Sequence, residues 1–173
     1  MKPIGLALVL AILACGNGRD GTNLSSPPAA GPSGPEVTPQ TVAVRLLGVG
    51  APGPVRVRVA SLELSVDGQA LPSRLEGGEL DLGAVQQAWQ AATFELPTDA
   101  RTVEIKLRFQ PEGVVERNGK PQALDVSGPP LSLVADAAQI RTRSKVVLEI
   151  DLARSLIERC EQVSLLPGFT VRY

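Results

Sequence analysis

The sequence predicts an all-β fold: a single antiparallel β-sandwich with one or two short helices, preceded by a signal peptide and a disordered tether. Three observations predict it. Beyond residue 40 apolar side chains recur at every second position, turn dipeptides separate these runs, and only two short stretches have helical spacing. Of the 173 residues, 43% are hydrophobic, enough for one ordinary core.

At the start of the chain, Lys2 supplies a positive charge and residues 4–13 form an apolar run broken only by Gly5. As a helix this run would reach about 15 Å, half of a hydrocarbon core of about 30 Å. It therefore has the length of a signal peptide, expected over residues 1–14, rather than of a membrane span. Ile12-Leu13-Ala14-Cys15 follows, and it resembles the bacterial lipobox. In that motif the first three residues are the recognition sequence of the lipoprotein signal peptidase and the cysteine carries the lipid. Leu13 departs mildly from the Ala or Ser usual at its place. The resemblance implies a mature chain that begins at a lipidated Cys15. Gly16 differs from the aspartate that retains enteric lipoproteins at the inner membrane, so the outer membrane is the expected destination. Residues 16–40 hold five Gly and five Pro, with Leu24 and Val37 as their only large aliphatics. Such a segment buries too little apolar surface to offset its ordering entropy, and residues 15–40 are expected to be a tether.

The sandwich domain is expected over residues 41–173. Residues 102–110 alternate most clearly. Val103, Ile105, Leu107 and Phe109 share one face, and Thr102, Glu104, Lys106, Arg108 and Gln110 the other. Val55, Val57 and Val59 alternate with Arg56 and Arg58, after which the apolar set shifts to Leu62, Leu64 and Val66. A shift of one residue inverts the faces, so a β-bulge or a strand that changes sheets is required near Ala60-Ser61. Val146, Leu148, Ile150 and Leu152 alternate again, and Phe169, Val171 and Tyr173 close the chain on one side. Asp67-Gly68 and Asn118-Gly119 are hairpin dipeptides that tolerate positive φ at both centres. Two helical stretches are expected: Leu82, Val85, Ala88 and Trp89 on one face behind Asp81 as N-cap, and a short turn opened by the capping-box spacing of Ser155 and Glu158.

Several of these segments together resemble the uncharacterised bacterial domain-of-unknown-function family 4382. Residues 55–66 are similar to its long early strand and Asp81-Leu82 to its Asp-Leu step. Leu96-Pro97 with Val103-Glu104-Ile105-Lys106-Leu107 is similar to its Leu-Pro turn and following strand. Leu148-Glu149-Ile150-Asp151 with Ser155-Leu156 is similar to its late strand, and Leu166-Pro167 with Phe169-Thr170-Val171 to its closing strand. Thr98-Asp99-Ala100 stands where the family has Gly, and Glu149-Ile150-Asp151 where it has two aspartates around an aromatic. The resemblance implies a secreted or lipid-anchored sandwich of the transthyretin or immunoglobulin-like kind and brings no activity.

Composition excludes several classes of chemistry. The chain has no His, which removes Ser-His-Asp and Cys-His machinery and imidazole metal ligands. A net charge of −1 argues against nucleic-acid binding. Two cysteines make neither a disulfide scaffold nor a four-thiolate zinc site. No cofactor is expected. Glu76, Glu79 and Asp81 around Gly77-Gly78 are a candidate ligand or Ca²⁺ loop, although their spacing fits no calcium-loop pattern and capping explains Asp81. Glu149 and Asp151 have the spacing of paired carboxylates, with cross-strand pairing to Arg as the plainer reading. Ser144-Lys145 as a nucleophile pair is disfavoured, because adjacent strand residues face opposite ways. Arg56/Arg58 and Arg141/Arg143, at strand spacing, are candidates for anionic glycans or headgroups. Trp89 is read as core, and Cys160 as a half-buried lone thiol. The expected function is a lipid-anchored envelope protein, attached to the membrane through Cys15. Its sandwich would bind a glycan or an envelope protein or contribute structure. The alternatives are a carboxylate-only glycan hydrolase and a subunit of an envelope assembly.

Overall fold

The computed structural model describes residues 38–160 and 162–173, so the signal peptide, Cys15 and most of the tether lie outside the described residues. In chain order the elements are β1 (Gln40–Val49), β2 (Val55–Val66), β3 (Gln69–Leu71), β4 (Ser73–Leu75), β5 (Glu79–Asp81), β6 (Ala88–Leu96) and β7 (Thr102–Phe109). They continue with β8 (Glu112–Arg117), β9 (Lys120–Asp125), β10 (Leu131–Asp136), α1 (Ala137–Arg143) and β11 (Lys145–Asp151). The last are α2 (Leu152–Ser155), β12 (Leu156–Arg159), β13 (Gln162–Leu165) and β14 (Phe169–Arg172). The strands form two sheets around one core, a β-sandwich. Sheet I has the order β14-β11-β1-β6-β4. Sheet II has the order β10-β7-β2-β8-β9-β13-β12, with β3 and β5 added along β2.

Period-two patterning dictates which faces meet. Val42, Val44 and Leu46 of β1 and Val146, Leu148 and Ile150 of β11 are buried from sheet I; Val103, Ile105, Leu107 and Phe109 of β7 are buried from sheet II. In β2 the pairing with β7 shifts register between Val59 and Ser61. Ala60 is thus the extra residue, and it returns Leu62, Leu64 and Val66 to the buried face. Both hairpin dipeptides have positive φ at their two centres, 49° and 82° for Asp67-Gly68 and 51° and 73° for Asn118-Gly119. That is the type I′ turn whose twist suits two-residue hairpins. Asp67 also accepts hydrogen bonds from the backbone N–H of Thr102 (2.9 Å) and of Arg101 (3.1 Å), tying its hairpin to the start of β7.

Four expectations need correction. The sandwich is not wholly antiparallel: β1 runs parallel to β11, and β13 parallel to β9. Parallel neighbours need a crossover, and α1 helps to supply one, carrying the chain from β10 in sheet II to β11 in sheet I. Asp136 caps its first turn by accepting from Ala138 N–H at 2.7 Å, and Ser144 ends it at φ 53°. Arg141 and Arg143 therefore lie in the last turn of a helix, beside its free carbonyls, and not at strand spacing.

Residues 82–89 form no helix. The chain turns at Gly83, where a Cβ would sit 2.2 Å from the Gly53 carbonyl oxygen. It passes through Gln86 at φ 58° and enters β6 at Ala88. Leu82 is buried as expected, whereas Val85 is 87% exposed and Trp89 faces β1 opposite Leu46. Ser155 does not open a helical turn. It ends α2, which Asp151 caps, and its hydroxyl accepts from Gly168 N–H at 3.0 Å. Cys160 is exposed rather than half-buried, at φ 43° in the turn between β12 and β13. The type I′ geometry makes Gly119→Val costly, because a β-branched side chain is strained at positive φ. The unfolding free energy should fall by on the order of 1 kcal/mol or more in a urea titration.

Candidate functional site

The residues singled out from sequence are mostly occupied with local structure. Ile12, Leu13, Ala14 and Cys15 lie outside the described residues. Glu76 accepts from the Gln90 side-chain amide at 3.1 Å. Glu79, opposite Arg58 in the β2–β5 pairing, forms ion pairs with Arg58 (3.6 Å) and Arg56 (4.0 Å). Asp81 uses one oxygen for two backbone donors, Val55 N–H and Gly83 N–H, each at 2.9 Å. The three carboxylates are thus directed to three different partners. Among the described residues no three acidic or thiol side chains gather in a way that could hold a metal ion.

The other candidates separate in the same way. Glu149 pairs with Arg172 across β11 and β14 at 2.9 Å. Asp151 accepts from Arg154 N–H at 3.2 Å as the cap of α2, so the two carboxylates share no site. Ser144 accepts from the Gln40 side-chain amide at 2.6 Å. Arg141 donates to the carbonyls of Pro97 (3.1 Å) and Ala100 (2.5 Å), pinning the connection from β6 to β7. Trp89 donates its indole N–H to the Asp81 carbonyl at 2.7 Å. Each is a fastening between elements.

The concave surface lies elsewhere, over β8, β9 and β13. Register places Val114 opposite Ala123 and Glu112 opposite Asp125, so these four share one face. Ser164 lies beside Asp125 on the same face, and Arg56 opposite Val114 extends it onto β2. Two adjoining hollows, of about 700 Å³ and about 200 Å³, share Glu112, Gly113 and Val114 and make one trough. One end carries Arg56, Arg58 and Glu79; Pro111, Val114, Pro121 and Ala123 form an apolar middle; Glu112, Asp125 and Gln162 form an anionic and amide-bearing end. Residue patterns give one hint of it. Pro111 and Pro121 bracket a hairpin whose β9 strand departs from alternation, with four exposed residues in a row before Leu124.

Electrostatics at the acidic end are set by Asp125. The Ser127 hydroxyl (2.5 Å) and then the Ser127 backbone N–H (3.0 Å) hold its carboxyl below the ordinary aspartate range, with Ser164 adding to the effect. Hydrogen bonds to a carboxylate favour the charged form, so this end of the trough stays anionic well into acid. Glu112 lies opposite without a hydrogen-bond partner among the described side chains and is exposed.

Comparison with protein-family profiles, with curated proteins and with solved structures finds no match.

The lowered Asp125 value fixes a pH dependence. Its contribution to stability is present above the ordinary aspartate value of 3.8 and is lost as pH falls through the lower native value. Ser127→Ala removes the leading cause, so the Asp125 titration followed by NMR should move up toward 3.8. The acid-side loss of stability between neutral pH and pH 3, read from denaturant midpoints, should shrink correspondingly.

Proposed function

We propose that this chain is a bacterial lipoprotein of the cell envelope, held at the outer membrane through Cys15, whose sandwich is a binding domain. We further propose that the trough over β8, β9 and β13 accepts an extended segment of another envelope protein. The observation that carries this reading is the lining of the trough: a cationic end, an apolar middle and an anionic end along one open sheet face. An extended peptide lays side chains of alternating character along such a surface. A glycan is the less suited ligand. Sugars are commonly held by stacking on aromatic rings, and no aromatic residue lines the trough; the half-buried Trp89 is committed to the Asp81 carbonyl.

Hydrolysis is also the weaker reading. A two-carboxylate glycosidase needs one acid kept protonated by a raised pKa. Glu112 and Asp125 do face the same way, yet Asp125 is pushed in the opposite direction and Glu112 is exposed. The resemblance to family 4382 supports envelope location, and most of its quoted segments fall on regular elements: β2, β7, β11 with α2, and β14.

A photoreactive residue introduced at Gln162, which lines the trough, should yield one discrete protein adduct in intact cells. Ala123→Arg, which fills the apolar middle, should abolish that adduct. The reading fails if Gln162 gives no adduct that Ala123→Arg removes.

The anchor is tested separately. Burying acyl chains contributes about 0.8 kcal/mol per CH₂, so the two or three chains of a lipidated cysteine hold almost permanently. Cys15→Ser should abolish lipid labelling and release the exported chain into the soluble fraction with its thermal midpoint unchanged. Retention of that variant on membranes after a high-salt wash would show that the domain or a partner does the anchoring.

A further inference from the structure

An edge strand exposes unpaired N–H and C=O groups, and folded proteins guard such edges with short strands, charges, prolines or bulges. Most edges here are guarded. β3, β4 and β5 have three residues each, with Pro72 between β3 and β4 and Arg74 within β4. β12 has four residues and ends in Glu158 and Arg159; β14 has four and carries Arg172. β10 is different. It pairs with β7 alone, in unbroken register from Leu131 opposite Leu107 to Asp136 opposite Thr102. It contains no Lys, Arg, Pro or bulge. Near its centre Val134 is 72% exposed, the second most exposed of the large apolar side chains outside the core. Beside Val134 lies an open hollow of about 560 Å³ bounded by Arg101, Thr102, Asp136 and Arg141, so the side chain is accessible.

The sequence of this edge is self-complementary. Residues 132–136 are symmetric about Val134, and a two-fold axis there sets two copies antiparallel. Cross-strand partners share a face. Val134 then meets Val134 of the second copy, and Leu133 meets Ala135, both already on the core side. Ser132, a hydroxyl donor, meets Asp136, and no like charges oppose one another. A two-fold contact uses the same patch twice, so this single unguarded strand suffices for both halves. We infer that β10 pairs with β10 of a second copy of this chain, joining two copies of sheet II into one continuous sheet. This dimer does not depend on the trough or its ligand.

The test uses the lipidated full-length protein in its membrane and in detergent. Val134→Cys in a Cys160→Ser background should form a disulfide-linked homodimer on mild oxidation, because directly opposed strand residues lie within disulfide reach. Thr98→Cys in the same background, equally exposed but remote from the edge, should not. Detergent-corrected light scattering at micromolar concentration should give a dimer for the wild type. Val134→Lys, whose side chain points outward, should give a monomer with an unchanged thermal midpoint. A monomeric wild type, a Val134→Lys dimer, or crosslinking of Val134→Cys to a different protein in place of itself would each overturn the inference.

Discussion

The inserted residue at Ala60 is the constraint on which the rest of the sandwich depends. A strand has a strict period of two, so the twelve residues of β2 could bury either Val55 and Val57 or Leu62, Leu64 and Val66 in one regular ladder, but not both sets. The bulge reconciles them. Fully burying an aliphatic side chain of this size is worth roughly 1.5–3 kcal/mol, so sending either set to solvent would consume most of the net stability of a domain. The bulge also divides β2 into two working halves. The first pairs with β5 and β8, the second with β7 and β3. Sheet II is in effect two ladders hinged on one strand. The trough belongs to one and the unguarded edge to the other.

A second fastening holds the first half of β2 against sheet I. Asp81 grips Val55 and Gly83 by their N–H groups, and Leu82 N–H bonds the Val55 carbonyl at 2.7 Å. The Leu82 carbonyl then rests so close to β1 that a Cβ on Gly48 would lie 2.0 Å from its oxygen. Only glycine fits at that crossing. The arrangement sets the position of β5, and hence of the Glu79 carboxylate between Arg56 and Arg58 at the cationic end of the trough. An acidic residue that looked like a ligand in the sequence is thus a structural clamp, and its neighbour two places earlier neutralises a pair of arginines.

Strand faces, the bulge and both type I′ turns were legible in the sequence because each is encoded within a few residues. The alternation at Val103, Ile105, Leu107 and Phe109 and the Asn118-Gly119 dipeptide need no distant information. Residues 82–89 misled because Leu82, Val85, Ala88 and Trp89 have helical spacing by coincidence, and tertiary pairing overrode it: Trp89 is held by β1 and by the Asp81 carbonyl. α1 was hidden because Arg141 and Arg143 imitate strand alternation while Asp136, the cap, sits at the end of a true strand. The trough was illegible for a different reason. It arises where β8, β9 and β13 come together, and the pairing of Val163 with Leu124 joins segments that no local pattern connects.

The parallel pairing at the centre of sheet I bears on the order in which the domain can assemble. β1 is among the first parts of the domain to be made, yet its neighbour β11 follows roughly a hundred residues later, so a large loop must close before that ladder exists. Until then β1 has only β6 beside it, and the apolar side chains of β1 and β6 face an incomplete cover. A chain delivered from its N-terminus, by a ribosome or through an export pore, therefore cannot finish its central sheet progressively. It must remain open until nearly all of it has emerged and then close in one late step. During that interval β10, complete but uncovered, is the segment most exposed to mispairing, so a holding chaperone on the delivery side would act on this part of the chain.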